Sequence, residues 1–336
     1  MLSGMKTFVL QPRGPYALAA SQRFFCSFTP ASGSASSDAD ILRLVFRLDG
    51  TFAPVGVALR EAGNGDIHGE VSGAGARDVD KVKAQAARIL SLDHDATDFA
   101  RLGEREPAIG SIQQTLPGFR PVCFASPYEA AVWGILAQRI AMKQAAAIRA
   151  RVAAEHGDAV EVAGQAMQAF PSPEALLSAE RSHFVSEEKW ERLRGVALAA
   201  LDGKLDAERL RALDVDEALE QLGQLRGVGG WTAGHILLRG CGTADVPTMA
   251  EPRVRRAAAF AYGLPSEPDD AELAALFDRW RPWRTWTAVL LATHLNRAGL
   301  WDTAEGKRGG PTMRHDERSK PTKPAGKRLS ATSSRA

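Results

Sequence analysis

Cysteine is scarce in this chain of 336 residues: Cys26, Cys123 and Cys241 stand far apart and are odd in number. That excludes a disulfide framework and a cluster held by four thiolates. No apolar run reaches the roughly 18 residues of a membrane span. Residues 1–10 also lack the apolar core of a secretory leader, so a cytoplasmic protein with no membrane partner is expected. The seven histidines never form a pair of the His-Glu-x-x-His kind, and no catalytic metal is expected. Net charge is only +2, which excludes a broad basic face and leaves room only for local contact with a polyanion.

The charge that is present lies unevenly. After Trp301, nine Lys and Arg side chains oppose four Asp and Glu, leaving about +5 there and a slightly acidic remainder. This stretch is rich in Gly, Pro, Ser and Lys and too poor in apolar residues to fold. Residues 302–336 therefore read as a basic disordered tail, either a solvated extension or an arm that tethers DNA.

Short alternating apolar runs at residues 8–11, 23–28, 41–48, 55–60 and 67–71 read as strands separated by Gly, Pro, Ser and Asp. Residues 30–40 read as a polar loop. From about Arg77 to Leu300 the periodicity turns helical with almost no strand signal. The expected class is α+β: a small antiparallel β-sheet domain over residues 1–112, then an all-α domain over residues 113–301.

Within the helical part, Leu225-Arg226-Gly227-Val228-Gly229-Gly230-Trp231-Thr232-Ala233 separates two apolar-periodic segments, residues 216–225 and 231–238. Gly227 and Gly229 can take positive φ and leave room for a close ligand. Their amides, with those of Gly230, Trp231 and Thr232 opening the second helix, can converge on an anion where the helix dipole favours one. Taken alone, a Gly-x-Gly turn between helices also occurs without any ligand. Further on, Glu251-Pro252 opens a helix with Val254, Ala257, Ala258 and Ala261 on one face. Proline suits a first helical position and pushes Glu251 towards an extended conformation, so its carboxylate projects from a helix mouth. Upstream, Ser126-Pro127-Tyr128-Glu129 has the spacing of a capping box that starts an apolar helix ending at Gln138 and Arg139.

These residues resemble the helix-hairpin-helix DNA glycosylase superfamily, and most nearly its 3-methyladenine DNA glycosylase II family. The resemblance also rests on residues 126–138, on Phe170-Pro171-Ser172-Pro173-Glu174, on Lys189-Trp190-Glu191-Arg192-Leu193 and on Arg281-Pro282-Trp283-Arg284. It covers about residues 5–301 and is most specific in the helical part. It implies a phosphate-binding hairpin at Gly227, Gly229, Gly230, Trp231 and Thr232, and a catalytic carboxylate at Glu251. It also implies a base pocket that includes Trp231, His235 and Gln138, and an arginine wedge at Arg139, where a surface arginine is the alternative. The implied partner is duplex DNA containing alkylated bases, bound by a monomer. No cofactor is implied, beyond a structural monovalent cation on hairpin carbonyls.

The chain departs from that family at one point: the catalytic position holds aspartate there and Glu251 here, which extends the charge by one methylene, roughly 1.5 Å. Two readings follow. Either the chain is a monofunctional glycosylase that excises bases such as 3-methyladenine in base excision repair, or it is a non-catalytic DNA-damage binding module. Trp231 stands where bifunctional relatives place a lysine, so no Schiff base with the sugar is expected. Asp245, six residues before Glu251, is expected to be structural. Trp280, Trp283 and Trp286 at helical spacing read as core. Arg253, Arg255 and Arg256 read equally as phosphate contacts or as salt-bridge partners.

Overall fold

The computed structural model describes residues 6–31, 33–38, 40–249 and 251–300; the tail expected at 302–336 lies outside them. The chain begins with β1 (Lys6–Leu10), α1 (Leu18–Ser27), β2 (Ala35–Asp38), β3 (Ile41–Arg47), β4 (Pro54–Glu61) and β5 (Ile67–Ser72). These five strands form one antiparallel sheet in the order β1-β5-β4-β3-β2. On β3 the period of two sends Leu42, Leu44 and Phe46 to one face, where α2 (Val79–Ile89) covers them with Val82, Ala86 and Ile89.

The expected strand at residues 23–28 is instead the end of α1. Leu18, Ser21 and Phe24 are buried at helical spacing, and the aromatic run that suggested a strand is split between two cores by that helix. The loop expected at residues 30–40 contains β2, which pairs with β3 in the register Ala35↔Leu44 to Asp38↔Ile41. Its sequence, Ala-Ser-Ser-Asp, carries no strand signal, and pairing along the sheet edge supplies the order.

The helical part comprises α3 (Thr97–Arg105), α4 (Pro107–Thr115), α5 (Pro127–Leu136), α6 (Met142–His156), then β6 (Asp158–Val162), β7 (Gln165–Ala169) and α7 (Pro173–Ser178). It continues with α8 (Glu187–Leu201), α9 (Ala207–Ala212), α10 (Val215–Gly223), α11 (Gly230–His235), α12 (Pro252–Tyr262), α13 (Asp270–Arg279) and α14 (Arg284–Arg297). The β6–β7 hairpin breaks the expected all-α pattern. Its turn, Ala163-Gly164, takes positive φ at both residues, as a two-residue hairpin turn requires. Val160, Val162, Met167 and Ala169 pack on Val45 and Ala58, the opposite face of the sheet. Arg43 donates to the carbonyl of Val162 at 3.2 Å and Arg47 to that of Phe170 at 2.5 Å. The expected boundary at 112/113 falls inside α4, where Ile109 and Ile112 are buried in the same cluster as α12 and α14.

Two helical cores result. One surrounds α5, every residue of which is buried, and takes in α6, α8, α10 and α11. The other surrounds α14 and takes in α3, α4, α12 and α13, with Trp280, Trp283 and Trp286 fully within it. Ser126 caps α5 by accepting from the Glu129 amide at 3.2 Å. The expected box is half made, because Glu129 pairs instead with Arg149 of α6 at 2.6 Å, both buried.

Candidate active site

α10 and α11 are joined by the glycine turn. Gly227 has φ of +86°, while Gly229 is extended at −91°, so only the first glycine is demanded by conformation. A Cβ on Gly227 would also come within 2.6 Å of Arg192 Cδ. At Gly229 and Gly230 a Cβ would meet nothing within 4 Å, so both leave open space beside the start of α11. No side chain caps α11, so its first-turn amides have no side-chain acceptor. The Thr232 side chain packs on α5, where a Cβ on Gly134 would lie 2.5 Å from Thr232 Cγ2. Past His235 the helix widens into one π turn, Ile236–Gly240.

The turn is braced from below. Gln138 Nε2 donates to the Gly227 carbonyl at 2.8 Å, and Gln138 Oε1 accepts from Arg192 at 2.7 Å. Lys189 donates to the carbonyls of Leu136 and Gln138 at 2.7 and 2.8 Å. Partial burial, with Arg192 beside it, pulls the Lys189 ammonium below its ordinary range. Gln138 thus spends its carboxamide on the hairpin, a role its place in the sequence did not reveal. Arg139 follows it exposed, with φ of +59°, thrust outward at the turn between α5 and α6.

Trp231 and His235 lie one helical turn apart on α11 and stack, ring centroids 5.0 Å apart at 10°. Phe124 meets His235 edge-on at 5.2 Å. Enclosure, helped by the nearby Arg239 cation, lowers the His235 pKa to about 3, and its buried Nε2 has no partner. The imidazole is therefore neutral at physiological pH. The outer part of Trp231 is exposed.

Glu251 caps α12, with Oε1 accepting from the Arg253 amide at 3.3 Å. Its Oε2 accepts from Trp231 Nε1 at 3.1 Å. Since α11 belongs to the α5 core and α12 to the α14 core, this bond crosses the seam between the two. Hairpin, aromatic pair and carboxylate thus share one place in the fold. Asp245 lies apart, paired with Arg284 at 2.7 and 3.1 Å. The arginines of α12 also have acidic neighbours: Arg253 lies 3.8 Å from Glu251, Arg255 pairs with Asp270, and Arg256 with Glu267 at 3.3 Å. Among the described residues no group of three or more His, Cys, Asp or Glu could hold a metal ion, and no helix is long and apolar enough to cross a membrane.

A sheet-backed helical fold with a glycine hairpin beside a helix-mouth carboxylate is the arrangement that the resemblance to the helix-hairpin-helix glycosylases implies. No protein-family model matches the chain. It is 31% identical over 223 residues to the probable bifunctional transcriptional activator/DNA repair enzyme AlkA of Mycobacterium tuberculosis, a match that covers 65% of this chain and 44% of that protein. It therefore spans less than half the length of that relative. To the DNA-3-methyladenine glycosylase of Bacillus subtilis it is 22% identical over 206 residues, 60% of this chain and 68% of the relative. The solved 3-methyladenine DNA glycosylase from Archaeoglobus fulgidus superposes with a TM-score of 0.72 at 20% identity, covering 87% of this chain and 99% of that one. In sequence the chain is thus similar to DNA-3-methyladenine glycosylases, and it shares its fold with a solved member of that group.

Proposed function

We propose that the chain is a monofunctional DNA glycosylase that extrudes an alkylated purine such as 3-methyladenine from duplex DNA and hydrolyses its N-glycosidic bond, as a monomer and without a cofactor. The observation that carries this reading is the 3.1 Å bond between Trp231 and Glu251, which sets a carboxylate beside the opening turn of the hairpin helix. An alkylated purine is already a cationic leaving group and needs little protonation. The barrier then lies in positive charge gathering on the sugar, which one fixed carboxylate stabilises directly or by orienting water.

In this reading Gly227, Gly229, Gly230, Trp231 and Thr232 grip a phosphate through their amides. Arg139 enters the duplex where the base leaves, combining stacking with attraction to phosphate. The exposed part of the Trp231 indole offers an electron-rich surface to a cationic base, which favours it over neutral bases. No lysine follows the glycine turn, so hydrolysis ends at an abasic site with the strand intact. A monovalent cation on hairpin carbonyls would support the phosphate grip and take no part in bond cleavage. One carbonyl of that turn, Gly227, is already occupied by Gln138.

The test is release of free base from methylated duplex DNA, resolved by chromatography, with Glu251→Gln and Glu251→Asp alongside. The expected result is 3-methyladenine release by the parent, unbroken strands, and a drop of about 10²-fold or more in Glu251→Gln at nearly unchanged DNA affinity. Binding of damaged duplex with no base released by the parent would instead establish the damage-binding module. An undiminished rate in Glu251→Gln would remove Glu251 from the chemistry.

A further inference from the structure

We infer that Trp231 is the positioning residue for Glu251: its indole N–H holds the longer carboxylate in register with the sugar. The inference rests on the glycosylase reading above and concerns the same site. Glutamate has one more rotatable bond than aspartate, and that torsion can carry the charge by more than an ångström. Misplacement of about 1 Å costs on the order of 10²-fold in rate. Glu251 therefore needs a restraint that a shorter acid does without.

The structure supplies it from two sides. Oε1 is held by α12 itself, through the Arg253 amide at 3.3 Å with Arg253 Nε 3.8 Å away. That is the ordinary N-cap bond and fixes one oxygen only. Oε2 is held from α11 by the indole N–H at 3.1 Å. Two donors on different helices leave the carboxylate no free rotation. The indole is itself fixed, stacked on His235, which in turn packs edge-on against Phe124. Among aromatic side chains only tryptophan combines a flat stacking surface with an N–H that always donates and never accepts. A purely packing role would use the ring alone, and phenylalanine would fill it.

The test is a double-mutant cycle on Trp231→Phe and Glu251→Asp, read by base release from methylated duplex DNA under saturating and subsaturating conditions. Expected is a fall in kcat of about 10- to 100-fold for Trp231→Phe in the parent, the range of one hydrogen bond to a charged group, while any rise in KM from the smaller stacking surface is the same in both backgrounds. In the Glu251→Asp background the same substitution changes kcat little, because the shorter side chain does not reach the indole.

The bond is read without activity from the indole ¹H–¹⁵N signal that disappears in Trp231→Phe, which shifts when Glu251 is replaced by Ala. Thermal unfolding of each variant guards against loss of fold. The inference is overturned by an equal loss in both backgrounds, by a parental rate in Trp231→Phe, or by an indole signal indifferent to Glu251. A parent that releases no base removes the glycosylase reading and this role with it. A parent that releases base while Trp231→Phe matches it removes the positioning alone. If Glu251→Asp is inactive, the indole signal decides.

Discussion

Gln138 and Gly227 are joined by a 2.8 Å hydrogen bond from a side-chain amide to a backbone carbonyl, so the turn after α5 and the turn of the hairpin are parts of one rigid assembly. Lys189 and Arg192 of α8 complete it from the other side. The exposed Arg139 is carried on that assembly, at a fixed distance from the hairpin amides.

Removing the tie by Gln138→Ala is expected to lower stability by about 1 kcal/mol, since Arg192 and the Gly227 carbonyl each lose a partner. It should also weaken binding to alkylated duplex by roughly tenfold, because both turns proposed to meet DNA gain freedom. Fluorescence anisotropy beside a thermal melt measures both. Loss of stability with affinity intact would mean that the tie is structural only.

Two of the three hairpin glycines, Gly227 and Gly229, should separate fold from function. Gly227→Ala meets a φ of +86° and the side chain of Arg192, and is expected to destabilise the protein by about 1–2 kcal/mol. Gly229→Asp enters open space at an extended φ, where aspartate is a good helix cap, and stability should change by less than about 0.5 kcal/mol. Its added charge sits where a phosphate is proposed, so DNA affinity should fall at least tenfold, with a smaller dependence on salt. Equal affinity for Gly229→Asp and the parent would remove the phosphate grip.

His235 makes the fold sensitive to acid. Its pKa falls from 6.5 unfolded to about 3 folded, so between those values the unfolded chain binds the extra proton. Stability from this residue is complete above about pH 6.5 and is lost as pH drops towards 3. In His235→Phe, the fall in melting temperature between pH 7 and pH 4 should be shallower than in the parent. Parallel curves for the two proteins would show that the ring is not buried as a neutral group.

Much of the architecture was legible because it rests on local chemistry. Strands β3, β4 and β5 follow from alternating apolar residues, and α5 and α12 from Ser126-Pro127 and Glu251-Pro252 at their starts. The glycine turn announced itself by composition. Three features were hidden because their cause lies elsewhere in the chain. β2 exists through its pairing with β3. The aromatic run at Phe24 and Phe25 is helical because Leu18 and Ser21 share its buried face. Gln138 turned out to serve the hairpin because Gly227, far along the sequence, returns to it. For β6–β7 a signal was present, Val160 and Val162 in alternation before Ala163-Gly164, but it was submerged in the helical pattern around it. At the site, residue types pointed to Glu251 and Trp231 separately; their hydrogen bond depends on how two helical cores meet.

The β6–β7 hairpin has a consequence for synthesis. The outer face of the amino-terminal sheet is roofed by residues 158–169, so Val45 and Ala58 stay bare, and Arg47 lacks Asp158 and the Phe170 carbonyl, until the chain has been translated past that point. A nascent chain halted before Asp158 presents a sticky, half-finished sheet, and a ribosome-bound fragment should turn protease-resistant only after the Val160 to Ala169 roof has cleared the exit tunnel.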